Sequence, residues 1–242
     1  MSLDFARVSG VTVALAAAVL VAGCGPTPGQ SNLDSDGGEV DAAPDGPVED
    51  VLADSGCPAP AKITPAMVPS GYLPAQRANL GYSIDGDTAK YHLVSGEHTV
   101  RYLFVNTEES SGAETTAFGV KTKDVIAGWL QAATDIQVAA RQGKTAGTPD
   151  LDPYGRWLAL IFVDGELLQT RLVREGYSAY YTAYGGAPAP VHDALLFAEA
   201  EARANRRGIW APGHPTDYEK VLDDWIGSRT CRPNPYVAPY CK

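Results

Sequence analysis

The chain has 242 residues, 45% of them hydrophobic and 9% aromatic, with a formal net charge of -10 from 19 basic and 29 acidic side chains. That length allows one or two domains, and the whole-chain charge excludes a strongly basic nucleic-acid binder. The charge is uneven: residues 1–60 carry nine acids and one base, whereas residues 61–242 carry 20 acids and 18 bases and are nearly neutral.

The first element is an export signal over 1–23. Arg7 lies in a short polar start, and Val11 to Ala22 is an apolar run broken only by Thr12. The run is too short to span a bilayer as a helix and has the length of a secretory hydrophobic stretch. It ends in Val21-Ala22-Gly23-Cys24, which resembles a bacterial lipobox. That resemblance implies a mature chain starting at a lipidated Cys24. Such a protein is exported and anchored to a bacterial cell membrane, at a periplasmic or cell-surface face. Residues 24–60 follow as a linker. From 25 to 60 there are six glycines, six prolines, eight acids, no base and no aromatic residue. Such a segment buries too little apolar area to offset its ordering entropy, and like charges extend it.

A folded composition begins near Ala61. Tyr82 to Val94 and His98 to Val105 are rich in β-branched and aromatic residues, with Ser95-Gly96-Glu97 as the hairpin turn between them. Phe118 to Ala132 has helical periodicity through Val125, Ile126, Trp129 and Leu130. Ile136 to Ala140 and Trp157 to Val163 read as strands, and Asp164-Gly165 as a turn. Leu167 to Arg174 reads as a short helix stopped by Gly176. Val191 to Arg207 is the clearest helix, opening after Pro190 and closing at Gly208. Strands, helix, strands and two helices suit a small antiparallel barrel with helices at one side, an α+β domain over 61–212. Trp129 and Trp210 are expected in the core. The four histidines are single and scattered, and with no CxxC or HxxxH a zinc site is not expected.

Five short blocks follow one another along the chain: Ile84-Asp85-Gly86-Asp87-Thr88, Arg101 to Glu109, Tyr154-Gly155-Arg156, Leu172-Val173-Arg174-Glu175-Gly176 and Arg206-Arg207-Gly208-Ile209-Trp210. Each alone is weak. Together, at these separations, they make residues 80–212 resemble the staphylococcal nuclease-like (thermonuclease) family. The resemblance implies a five-stranded OB-type barrel with three helices. It also implies calcium-dependent hydrolysis of DNA and RNA phosphodiesters, without sequence specificity, by a monomer.

The chemistry asks for these residue types. A phosphodiester gains negative charge in its transition state, and guanidinium groups grip its oxygens with paired hydrogen bonds. By family position these are Arg101 and Arg156. Glu109 takes the position of the carboxylate that activates water as a general base. A hard divalent cation needs oxygen ligands. Asp87 and the carbonyl of Thr107 match two of them, and the family's second carboxylate falls at Asn106. The family's proline falls at Glu108, whose carboxylate could compensate for Asn106 or point to solvent. Tyr184 aligns with a nucleotide-stacking tyrosine, and Tyr154 lies beside Arg156 as a phosphate contact. The loop from Ser110 to Thr116 aligns with a mobile loop beside the family's site.

The tail, 213–242, lies outside the resemblance. Asp217 to Ile226 could form a short helix. In an oxidising compartment, Cys231 and Cys241 are the nearest disulfide pair, with Cys57 and either tail cysteine as the alternative. A competing reading of the whole chain is a non-catalytic OB-type lipoprotein module that binds nucleic acid or a protein.

Overall fold

The structure, a computed structural model, describes residues 59–218 and residue 221. The expectations for the signal, Cys24, Cys57, most of the linker, Cys231 and Cys241 lie outside the described residues, as does most of the 217–226 helix.

Seven strands form one sheet: β1 (Gln76–Arg77), β2 (Asn79–Ser83), β3 (Thr88–Leu93), β4 (Gly96–Tyr102), β5 (Ile136–Ala140), β6 (Trp157–Val163) and β7 (Glu166–Leu167). Their order is β1-β5-β6-β4-β3-β2, with β7 on β6. All pairs are antiparallel except β4 with β6. The two ends of that order, β1 and β2, are consecutive in the chain. Residues 76–83 therefore pair with β5 on one side and with β3 on the other, and the sheet closes on itself. Five of the strands carry the barrel and two are two-residue additions, which fits the OB-type expectation. The core includes Val100, Ile126, Leu160, Ile161 and Phe162. Tyr91 and Tyr102 are also buried, and each hydroxyl satisfies the other at 2.7 Å.

The expected strand from Tyr82 to Val94 is two strands. Asp85-Gly86-Asp87 makes a tight turn between them, because Asp and Gly favour turns. The N–H groups of Ile84 and Asp85 donate to the Thr88 carbonyl, and Asp87 N–H donates to Asp85 Oδ1 at 2.9 Å. The next hairpin is also tighter than expected, since β4 begins at Gly96 and the turn is Val94-Ser95. Gly96 takes the left-handed conformation there, at φ 117°. Strands β5 and β6 have the expected bounds.

Three helices pack at one side. Helix α1 (Ala117–Ala132) is capped by Thr116, whose hydroxyl accepts from Gly119 N–H at 2.8 Å, and it buries Gly119, Thr122, Ile126 and Leu130, an amphipathic spacing. Helix α2 (Leu168–Arg174) starts one residue later than expected. It ends in a Schellman motif: Gly176 N–H donates to Val173 O and Tyr177 N–H to Leu172 O, with Gly176 at φ 71°. Helix α3 (Val191–Ala204) stops short of Arg207. Arg206 takes φ 50°, and Arg207 N–H donates back to Ala202 O, so the same type of cap ends it early. Trp129 and Trp210 are partly buried rather than central.

The ends of α2 and α3 meet backbone to backbone. Ile209 N–H donates to Gly176 O at 2.8 Å. A Cβ on Gly176 would lie 2.2 Å from Arg207 O, and one on Gly208 would lie 2.1 Å from Gly176 O. Both glycines also have positive φ. Gly176→Ala and Gly208→Ala are each expected to lower unfolding free energy by more than about 2 kcal/mol, from strain plus overlap. Denaturant titration checks this, and a loss under about 0.5 kcal/mol, typical of an inert surface site, would contradict it.

Candidate active site

The turn between β2 and β3 delivers Asp87 to the barrel rim. Thr88 pairs with Arg101 across β3 and β4, so Asp87 comes beside Arg101 at the end of β4. Phe104, at φ 69°, then turns the chain back. That reversal brings Asn106 and Thr107 over Asp87. Gly86 permits the approach, since a Cβ there would lie 2.8 Å from Thr107 Oγ1 and from Thr122 Cγ2.

Asp87 and Arg101 are buried, 5% and 4% exposed. Asp87 Oδ2 lies 3.1 Å from Arg101 Nη2 and accepts from Thr107 N–H at 2.9 Å. Asp87 Oδ1 accepts from Thr88 Oγ1 at 3.0 Å. Arg101 Nη1 donates to the carbonyls of Tyr102 and Val105, at 2.9 and 2.8 Å, and Nη2 donates to Asn106 Oδ1 at 2.8 Å. The guanidinium is thus an internal brace as well as a charge, not the open fork that the sequence suggested. Ser178, between α2 and α3, fixes Asn106: its Oγ accepts from Asn106 N–H at 2.8 Å and donates to Ala179 O at 2.7 Å.

Arg156 approaches from the turn before β6. Asp152 Oδ1 accepts from the N–H groups of Tyr154 and Arg156, both at 2.9 Å, and Oδ2 accepts from Arg156 Nε at 2.6 Å. Arg156 Nη1 donates to Thr88 Oγ1 at 3.4 Å. Thr88 therefore links Arg156 to Asp87 and hence to Arg101. Tyr154 is 83% exposed, with the Arg156 guanidinium 5.3 Å from its ring centroid. Tyr184 is half-buried, its ring centroid 6.0 Å from Arg101 Cζ, and its carbonyl accepts from Arg141 Nη1 at 2.6 Å. Both tyrosines accompany the two arginines. Glu109 is exposed at the start of the loop leading to α1, and its carbonyl accepts from Thr116 N–H at 3.0 Å.

Burial pushes the Asp87 carboxyl up, to about 7, against the lowering pull of Arg101. Burial would also raise Asp152, but hydrogen bonds from the Arg156 backbone and side chain hold it below the usual carboxylate range. The oxygens gathered at Arg101 are hard ones, the Asp87 carboxylate and the Asn106 amide. Asp87 Oδ2 and Asn106 Oδ1 both lie within 3.1 Å of Arg101 Nη2, so the point on which they converge is held by the guanidinium. Hard oxygens suit a cation of the calcium type, which would need Arg101 Nη2 to move aside and would gain a single charged side-chain ligand. Among the described residues no group of three His, Cys, Asp or Glu side chains comes together. Glu108 does not join this set. Its carboxylate accepts from Thr116 Oγ1 and from Tyr218 OH, turned away from both the cation position and solvent.

Sequence reasoning missed Asp152, Thr88 and Ser178. An aspartate four residues before Arg156 in a Pro-Tyr-Gly turn was the available signal for the first, since Asp at such a position caps the turn that follows. Nothing local marked Ser178, which meets Asn106 across 72 positions of sequence.

Residues 99–212 match the family model described as staphylococcal nuclease homologue. Over 140 residues the chain is 31% identical to endonuclease YncB of Bacillus subtilis, spanning 54% of this chain and 60% of that protein. It is 31% identical over 147 residues to the SPbeta prophage-derived endonuclease YokF of the same organism, spanning 57% and 45%. A probable staphylococcal-like nuclease of rice, CAN1, is 35% identical over 66 residues, 27% of this chain and 18% of that one. The chain thus spans less than two thirds of the length of each of these relatives. The closed barrel and these matches agree, and residues 99–212 form a staphylococcal nuclease-like domain.

Proposed function

We propose that this domain hydrolyses phosphodiester bonds of DNA and RNA. The observation that carries the reading is the placement of two guanidinium groups about one buried carboxylate, Arg101 directly and Arg156 through Thr88. Arg156, aimed by Asp152, keeps Nη2 for a phosphate oxygen. Arg101 spends Nη1 on two carbonyls and Nη2 on Asn106 and Asp87, so a phosphate oxygen reaches it by displacing one of these partners. Two fixed positive charges then meet the charge that develops on phosphorus oxygens. Glu109, exposed at the start of the loop leading to α1, accepts a proton from the attacking water in this reading. Tyr154 contacts phosphate, and Tyr184 offers a ring on which any base can stack. Asp87, Asn106 and the Thr107 carbonyl would hold calcium, which would supply charge neutralisation at the phosphate. The endonuclease relatives support the hydrolytic reading. In the same proposal the protein is exported and held at a bacterial membrane by lipid on Cys24.

Arg156→Lys is expected to lower cleavage of single-stranded DNA by more than about 10-fold, because lysine cannot make the paired contact. Asp152→Asn should lower turnover in the same direction while KM changes less, since it loosens the aim of Arg156. Because the Asp152 carboxyl is depressed in the folded protein, its contribution to stability is present above the ordinary aspartate range and is lost as pH falls through its lowered value. The Asn variant should therefore lose less stability than the wild type on acidification. Wild-type rates in Arg156→Lys would defeat the assignment.

Cleavage rate against calcium concentration tests the metal. Asn106→Asp adds a charged ligand and should lower the calcium needed for half-maximal rate. Equal cleavage in chelator would defeat the calcium assignment. A wild type that binds DNA but never cleaves would point to the non-catalytic module. Cys24→Ser should release the protein from membranes and change its mass, and unchanged fractionation would overturn the anchor.

A further inference from the structure

Residues 209–218 run largely beyond the family match, yet they reach the loop that carries Glu109. Tyr218 is buried in a small second core with Ile209 and Ala179, against Phe118, Trp210 and Val221. His214 meets the Phe118 ring edge-on at 5.0 Å, and Tyr218 lies 5.6 Å further along from His214. Phe118 belongs to the first turn of α1, so this segment packs on the helix that begins where the Glu109 loop ends.

One carboxylate joins the two. The Glu108 side chain is only 8% exposed, and a buried charge requires partners. Its Oε1 accepts from Tyr218 OH at 3.1 Å and lies 3.4 Å from His214 Nε2, which is buried and makes no hydrogen bond among the described residues, so His214 meets it by proximity and packing. Its Oε2 accepts from Thr116 Oγ1. Thr116 is the residue that pins the next position: its N–H donates to Glu109 O at 3.0 Å, and its hydroxyl accepts from Gly119 N–H. The Gly119 Cα packs so closely that a Cβ there would lie 2.2 Å from Glu109 O. The backbone of Glu109 is therefore fixed by Thr116 and α1, and Thr116 is in turn tied through Glu108 to the C-terminal segment.

We propose that Glu108 is a positioning residue, and that His214 and Tyr218 complete the active site from outside the family domain by holding Glu108 and, through Thr116, the backbone of Glu109. The inference rests on the nuclease reading for its catalytic consequence. It gives the departure at Glu108 a role that is neither calcium binding nor solvation: a carboxylate latch with partners 8, 106 and 110 positions away in the chain.

The test uses the full chain and three variants, Tyr218→Phe, His214→Gln and the double change. Tyr218→Phe removes one hydroxyl and keeps the ring, so the small core persists. Two readouts are taken: hydrogen exchange at the Thr116 amide, and kcat and KM on single-stranded DNA with calcium. The expected result is faster exchange at Thr116, a fall in kcat of about 10-fold in the double variant from misplacement of the base, and a KM within about twofold. The melting temperature separates this from loss of fold, because a purely structural role would lower the active fraction and leave the kcat of folded protein unchanged. Unchanged exchange, or faster exchange with unchanged kcat, would overturn the proposal. A wild type that cleaves nothing would sink the nuclease reading and the positioning role together. A cleaving wild type with unaltered variants would sink only the latch.

Discussion

The arrangement depends on the buried pair of Asp87 and Arg101. Each would be costly to bury alone, and together they are retained because every oxygen and most donors find partners. Arg101 holds the carbonyls of Tyr102 and Val105, and with them the reversal at Phe104. Asp87 holds Thr107 N–H and, through Thr88, Arg156. Two strands, one loop and one distant turn are therefore fixed by two side chains. The same pair bears on the chemistry, because the Arg101 guanidinium and the buried Asp87 carboxylate stand together at the barrel rim.

Much of this was legible in the sequence, and the reasons differ by element. Strands β5 and β6 were readable to the residue because Ile136 to Ala140 and Trp157 to Val163 are apolar runs bounded by turn formers. Gly176 announced the end of α2 because only a left-handed residue completes that cap. The end of α3 was misread, since Arg206 takes the same conformation without glycine to mark it. The barrel's closure was hidden too. Gln76-Arg77 is a two-residue strand, and no periodicity can mark so short an element.

The site was legible as residue types and not as a network. Arg101, Arg156, Asp87 and Thr107 were named from family position, and the structure gathers them. Their wiring is not readable, because it runs through Asp152, Thr88 and Ser178, whose side chains in sequence look like those of any turn or exposed loop. Glu108 shows the limit most clearly. It was read as a local substitute ligand or a solvated charge because its neighbours in sequence are ligands. Its actual partners, His214 and Tyr218, are brought to it only by the packing of the chain's later helices.

The backbone contact of Gly176 with Gly208 has a consequence for chain length. It sets the point and direction from which the segment after α3 departs, and Glu108 sets the point at which that segment must arrive. Ile209 to Gly213 is then a ruler between two fixed marks. A residue inserted within it would carry His214 and Tyr218 out of step with Glu108, although the substituted chemistry would be unchanged. The spacing here is thus as much a part of the site's specification as the identity of any side chain in it.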